Sequence, residues 1–194
     1  MIEYNMSVKK QIIALFISST FLSIPPLQAA NIGLAFSSGD GILDISPYRF
    51  AMSLDFGNIW RENYDWGLNF IWESSVGYWQ GRRDYAVGTP NRLDVVTSGP
   101  LFRWQRQSPL YPFHMTPYVE LGVGASWLSE TEIGGRQLSL HFQFEDKLGL
   151  GTRFGKKQQY DVALRGIHYS NASIKRPNSG VNLLMVSVGM WFVD

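Results

Sequence analysis

From residue 31 onward the apolar residues of this chain fall on alternate positions, which is the period of a β-strand and not of a helix. Tyr48, Phe50, Met52, Leu54 and Phe56 interleave with Arg49, Ala51, Ser53, Asp55 and Gly57. Successive strand side chains point to opposite faces, so one face here is large and apolar and the other small or polar. The same split recurs at Trp66, Leu68, Phe70 and Trp72 against Gly67, Asn69, Ile71 and Glu73. It recurs at Val119, Leu121, Val123, Ala125 and Trp127, and at Leu138, Leu140, Phe142 and Phe144, the latter against Ser139, His141, Gln143 and Glu145. Weaker versions near 31–36, 91–106, 160–170 and 183–193 bring the expected total to about eight strands. The intervening stretches 58–65, 80–90, 107–113, 129–136 and 171–180 are rich in Gly, Pro, Asn and Ser, as turns require.

A soluble β-sandwich would bury the bulky row and present an outer row rich in Lys and Glu. In this chain the second row is Gly, Ala, Ser and scattered ionisable groups, which suits the narrow filled interior of a small barrel and turns the bulky row toward lipid. Trp60, Trp66, Trp72, Trp79, Trp104, Trp127 and Trp191 lie near strand ends, where aromatic girdles meet the membrane interfaces. The fold expected is therefore all-β: an eight-stranded antiparallel up-and-down transmembrane β-barrel, a single domain over 31–194. Closing the barrel satisfies every backbone group in hydrocarbon. The ending Trp191-Phe192-Val193-Asp194 is close to the aromatic C-terminus of outer-membrane barrels, with two residues following the Phe.

Residues 1–30 read as a cleaved signal peptide: Lys9 and Lys10 precede an apolar run from Ile12 to Ile24, and a small-residue cleavage region ends at Ala29 or Ala30. That places the chain outside the cytoplasm, integral to an outer membrane. With no Cys, neither disulfides nor thiol chemistry is available, and a net charge of +1 without charge blocks excludes a field suited to nucleic acid. No metal-ligand spacing, phosphate-binding glycine loop or dinucleotide fingerprint occurs, so no cofactor and no metal are expected.

Chemistry enters at His168 and Ser170. They share the parity of Val162 and Leu164 on one strand, so an imidazole and a hydroxyl emerge together on a face expected to meet lipid. Ionisable groups in that setting call for a functional explanation. A serine hydroxyl becomes a nucleophile only with a base in reach and a third group to hold that base in the correct tautomer. By parity Asp146 also points outward, on a strand expected to neighbour that of His168, whereas Glu145, Glu120 and His141 point inward as hydrogen-bonded filling.

The segment His168-Tyr169-Ser170-Asn171-Ala172, followed by Pro177, Asn178 and Gly180, resembles the lipid A 3-O-deacylases of the outer membrane, the PagL type; the segment from Phe144 to Gly151 does so more loosely. The resemblance implies an active site on the exterior of an eight-stranded barrel. It implies hydrolysis of the ester-linked 3-hydroxyacyl chain at position 3 of lipid A by a Ser-His-acid triad. Ser170 would be the nucleophile and His168 the base, with Asn171 and Asn178 supporting the oxyanion or the loop. Where some members carry the triad Glu, this chain has Asn182, which can orient an imidazole but supplies no charge. Asp146, Asn182 as orienter, and another carboxylate stand as alternatives for the third group. The expected partner is lipid A or lipopolysaccharide in the surrounding membrane, with a homodimer left open. Arg103, Arg106, Lys175 and Arg176 are read as solvated charges, or as contacts to lipid A phosphates. Other readings are a non-enzymatic small barrel and a phospholipase-type acyl-ester hydrolase.

Overall fold

The computed structural model describes residues 31–41, 44–61, 65–82 and 90–192; the expected signal segment 1–30 and the last two residues lie outside them. Among the described residues ten strands occur in chain order: β1 (Asn31–Gly41), β2 (Ile45–Arg61), β3 (Trp66–Gly81), β4 (Arg92–Arg106), β5 (Thr116–Leu128), β6 (Glu132–Ile133), β7 (Arg136–Gln137), β8 (Phe142–Phe154), β9 (Tyr160–Ser170) and β10 (Val181–Phe192). Eight of them close a barrel in the order β1-β10-β9-β8-β5-β4-β3-β2, every pair antiparallel, while β6 and β7 form a separate hairpin. The up-and-down order is the expected one, and β1 pairing with β10 removes the sheet edges.

The bulky row is the outer surface. Phe36, Phe50, Val76, Leu121, Leu150, Leu164 and Val186 are all exposed, as a lipid-facing band requires. The small row makes room inside for ionised side chains: a Cβ on Gly149 would lie 2.7 Å from Glu120 Oε1, so glycine there admits the carboxylate. Within the barrel Arg103 bridges Glu120 (2.9 Å) and Asp161 (3.1 Å), and Arg165 bridges Glu120 (2.7 Å) and Glu73 (3.4 Å). Arg49 joins Glu73 (2.9 Å) to Glu145 (2.5 Å), and Lys147 contacts both carboxylates. Paired in this way, buried charges are tolerated that would be prohibitive singly.

One end of the interior is apolar instead. Ile45, Leu93, Leu128 and Val181 meet Ile133 and Leu138, which the β6–β7 hairpin brings over the barrel mouth. The hairpin turns at Gly134 and Gly135, both at positive φ, the backbone a tight two-residue turn needs.

Four expectations are corrected. Leu138 does not continue the outward row, because Ser139 at φ 64° breaks the alternation and β8 begins only at Phe142; Leu138 is 0% exposed in the mouth cluster. The same break turns His141 outward, where it stacks on Trp127 (5.5 Å) and its Nδ1 meets Leu128 O (2.7 Å). Trp79 and Trp191 lie inside the barrel, not in a girdle. Arg103 is a buried member of the ion network, so it neither faces solvent nor can reach a lipid phosphate.

The connections at the hairpin end span 42–44, 82–91, 129–141 and 171–180; those at the other end, where β1 starts at Asn31 and β10 stops at Phe192, span 62–65, 107–115 and 155–159. Outer-membrane barrels carry short periplasmic turns and longer extracellular loops, so the hairpin end is the extracellular one.

Candidate active site

Three adjacent strands build the site. In β8, β9 and β10 the register sets His168 directly opposite Asp146 on one side and Asn182 on the other, without a shift between Tyr160 and Ser170. Side-chain alternation therefore runs unbroken from Val162 through Leu164 and Gly166 to His168 and Ser170, all on the outer face. Ser170 is the last residue of β9, so the pair stands at the extracellular rim of the apolar band.

His168 Nδ1 lies 2.6 Å from Asn182 Oδ1. An amide oxygen can only accept, so the proton sits on Nδ1 and the Nε2 lone pair is left to act as a base. Asp146 faces the same imidazole from the other side, but among the described residues its carboxylate makes no hydrogen bond. The structure thus brings both expected partners to His168 and bonds one of them. Ser170 projects two residues along the strand, roughly 7 Å away at Cα. In this unliganded arrangement His168 is bonded to Asn182 and not to Ser170 Oγ, a gap that commonly closes only with substrate bound.

The loop after Ser170 is pinned from several directions. Asn171 is fully buried; its side-chain amide donates to Leu138 O and Lys175 O, both at 2.9 Å, and its backbone N–H donates to Asn178 Oδ1 at 3.2 Å. All donors of Asn171 are thus engaged in holding the loop. The contact from Asn171 fixes which way the Asn178 amide faces: its oxygen is held inward and its N–H groups are left for another acceptor. Gly180, at φ +59°, lies against the base; a Cβ there would sit 3.0 Å from His168 Cε1.

Sequence reading missed a second anchor. Arg136 Nη1 donates to Ser179 O and Gly180 O, both at 2.7 Å, and Ser139 Oγ donates to Pro177 O at 2.5 Å. The β6–β7 hairpin therefore grips the loop that borders the imidazole. Its only sequence signal is the Gly134-Gly135 pair between short polar flanks, which marks a turn but not what the turn holds. Lys175 and Arg176 are exposed on the gripped loop. Arg106 lies at the opposite, periplasmic end, next to Asp65 (3.7 Å).

An open groove of about 610 Å³ runs along the outer wall beneath the imidazole, bordered by Phe102, Leu121, Asp146, Leu148, His168 and Asn182. Among the described residues no cluster of three or more His, Asp or Glu is placed to hold a metal ion. What the arrangement can do is acyl transfer: a hydroxyl and a tautomer-fixed imidazole stand two residues apart on one strand, at the head of an apolar groove.

Fold and site together are those of a membrane-spanning barrel that carries candidate hydrolytic groups on its outer wall. The family model for lipid A 3-O-deacylase (PagL) matches residues 47–191, and the chain belongs to that family. It is 28% identical over 170 residues to the lipid A deacylase PagL of Pseudomonas aeruginosa, covering 87% of this chain and 90% of that protein. It is likewise 28% identical over 144 residues to the lipid A deacylase PagL of Bordetella bronchiseptica, covering 72% of this chain and 73% of that one. The crystal structure of the outer membrane enzyme PagL superposes with a TM-score of 0.71 at 24% identity, over 81% of this chain and 97% of that one, and shares its fold. The chain is an integral outer-membrane β-barrel.

Proposed function

We propose that this barrel hydrolyses the ester-linked 3-hydroxyacyl chain at position 3 of lipid A, with Ser170 as nucleophile and His168 as general base. The observation that carries the reading is the 2.6 Å contact from His168 Nδ1 to Asn182 Oδ1 on the lipid-facing wall, beside Ser170 and above an apolar groove. A soluble esterase would have to extract its substrate from the bilayer. Here the acyl chain already lies in hydrocarbon against the outer wall, and only the ester must reach the rim.

In the proposed reaction Ser170 Oγ attacks the ester carbonyl while His168 Nε2 takes the hydroxyl proton. The imidazolium that forms is held by Asn182, with the Asp146 carboxylate across the strand adding charge. The developing oxyanion accepts from the Asn178 side-chain amide, which the Asn171 N–H has oriented. His168 then returns the proton to the departing sugar oxygen, and the carbonyl–oxygen bond breaks. Water from the headgroup zone, deprotonated by His168, releases the hydroxy fatty acid and restores Ser170. Every group needed stands in one barrel, so a homodimer is no part of the proposal. Signal cleavage after Ala29 or Ala30 would leave a mature chain beginning at or next to Asn31, the first residue of β1.

The test is mass spectrometry of lipid A exposed to purified wild-type, Ser170→Ala and His168→Ala barrels. Wild type should remove one 3-hydroxyacyl chain, and both variants should fold and remove none. Wild-type turnover by folded Ser170→Ala would eliminate it as nucleophile, and release of acyl chains from phospholipid but not lipid A would move the substrate to the phospholipase class.

A further inference from the structure

Directly below His168 on the outer wall, one row of side chains crosses five strands: Phe102, Leu121, Leu148, Gly166 and Leu184, in β4, β5, β8, β9 and β10. Every member but one is a large exposed apolar residue. The next row toward the periplasm is complete: Trp104, Val119, Leu150, Leu164 and Val186. The gap in the lipid-facing wall is one residue wide, and it falls immediately under the catalytic imidazole.

The fold does not account for glycine at this position. At Gly39, Gly77 and Gly99 an added Cβ would come within 2.0, 2.3 and 2.1 Å of a backbone oxygen, so those glycines are compelled by close approach of the strands. At Gly166 the nearest atom would be Leu148 O at 3.9 Å, an ordinary contact, and the backbone is not in the left-handed region. A side chain would fit and would strengthen the strand, since glycine in a strand interior is destabilising. Glycine retained where nothing in the chain requires it marks the close approach of something else.

Resting on the serine-esterase reading above, we propose that Gly166 is the seat of the scissile acyl chain: the missing side chain opens a slot, walled by Leu148 and Leu184, that admits the first methylenes beyond the ester and so makes Gly166 a specificity-determining residue. The geometry leaves one direction open to the chain. Its carbonyl must stand at Ser170 and its tail must enter hydrocarbon, and the first outward positions met on that descent along β9 are His168 and then Gly166. Beyond the slot the path stays apolar, because a second groove of about 580 Å³ shares Phe102 and Leu121 with the first.

Gly166→Leu would complete the row and close the slot. Purified Gly166→Leu and Gly166→Ala barrels are compared with wild type in three measurements: heat-modifiable gel mobility for folding, labelling of Ser170 by a small fluorophosphonate, and release of 3-hydroxy fatty acid from lipid A. Both variants should fold and label at the wild-type rate. Lipid A turnover should fall about tenfold or more for Leu and by less for Ala, the size expected when methylenes compete for one apolar site. Wild-type turnover by folded Gly166→Leu would overturn the proposal, as would parallel loss of labelling and turnover, which would mean displacement of the dyad. If the Leu variant does not fold, the Ala variant is judged by the same two criteria. The readings fail separately, since a wrong nucleophile shows as turnover by Ser170→Ala, whatever Gly166→Leu does.

Discussion

Asn182→Asp should make this enzyme faster. The amide holds His168 by an uncharged oxygen 2.6 Å from Nδ1, and the replacement keeps the length of the side chain while adding a full negative charge. That charge acts only when the imidazole becomes imidazolium, so it stabilises the transition state and not the resting enzyme. Two unit charges about 4 Å apart interact by about 1 kcal/mol in water and about 4 kcal/mol near a protein surface. Asn182 is exposed, so the low end applies: a gain of about 1 to 2 kcal/mol, or roughly five- to thirtyfold in kcat/KM. Asn182→Ala instead deletes a hydrogen bond to a charge, worth about 1.5 to 3 kcal/mol, and should cost from about tenfold to a little over a hundredfold. Asp146→Asn should cost less, about fivefold, because Asp146 faces the imidazole without bonding it. Initial rates of hydroxy fatty acid release from lipid A micelles measure all three. The reasoning is refuted if folded Asn182→Asp is slower than wild type, or if Asp146→Asn alone abolishes turnover and Asn182→Ala does not. Either result would make Asp146 the group that orients His168 when substrate is bound.

Gly180→Ala places a methyl 3.0 Å from His168 Cε1 on a backbone at φ +59°, and should lower kcat by about tenfold in a barrel that still folds, from about 1 to 2 kcal/mol of strain at the base. Arg136→Ala removes two 2.7 Å bonds to the loop; turnover should fall about tenfold, proteolysis within 171–180 should quicken, and Arg136→Lys should restore part of both. Arg49→Ala leaves Glu73 and Glu145 short of a buried partner and should destabilise the barrel by about 3 to 5 kcal/mol, read as a lower urea midpoint, with the dyad chemistry of the folded fraction unchanged.

Strand number, closure and the outward direction of His168, Ser170 and Asp146 are legible because each rests on period-two alternation, which a lipid-facing wall enforces residue by residue. Alternation fails where the backbone leaves it. Ser139 at positive φ is one such point, and both Leu138 and His141 change faces as a result. Trp79 and Trp191 mislead for a different reason: tryptophan suits an interface, but the barrel interior also needs bulk, and Trp79 packs on Tyr169 at 4.8 Å while Trp191 lies over Arg153. Asn182 is reachable from the sequence only through the family resemblance; that it stands directly opposite His168 takes the register, because the loop between them could close a hairpin in more than one alignment. Arg136 reaches Gly180 across 44 residues through a connection without periodicity, so nothing local announces the contact. Gly166 is invisible for the opposite reason: its meaning lies in what is absent, and absence acquires significance only once its row is assembled.

The height of the dyad on the wall follows from two opposing demands. An eight-stranded barrel packed with Arg, Lys and Glu has no room inside for a substrate, so the chemistry must be done on the outer wall. Each step of two residues toward the periplasm moves an ionisable side chain roughly 5 Å deeper from headgroup water on a tilted strand, where its cost rises and the water that must cleave the acyl-enzyme becomes scarce. A dyad moved down to Leu164 and Gly166 would pass that limit. Moving it up meets another: Asn171 already begins the loop, and a base beyond Ser170 would lose the flanking strands that hold it. His168 is the highest position on β9 that has a strand neighbour on both sides and still leaves its serine on the strand. Solvation therefore bounds the site from below and hydrogen-bonded register from above.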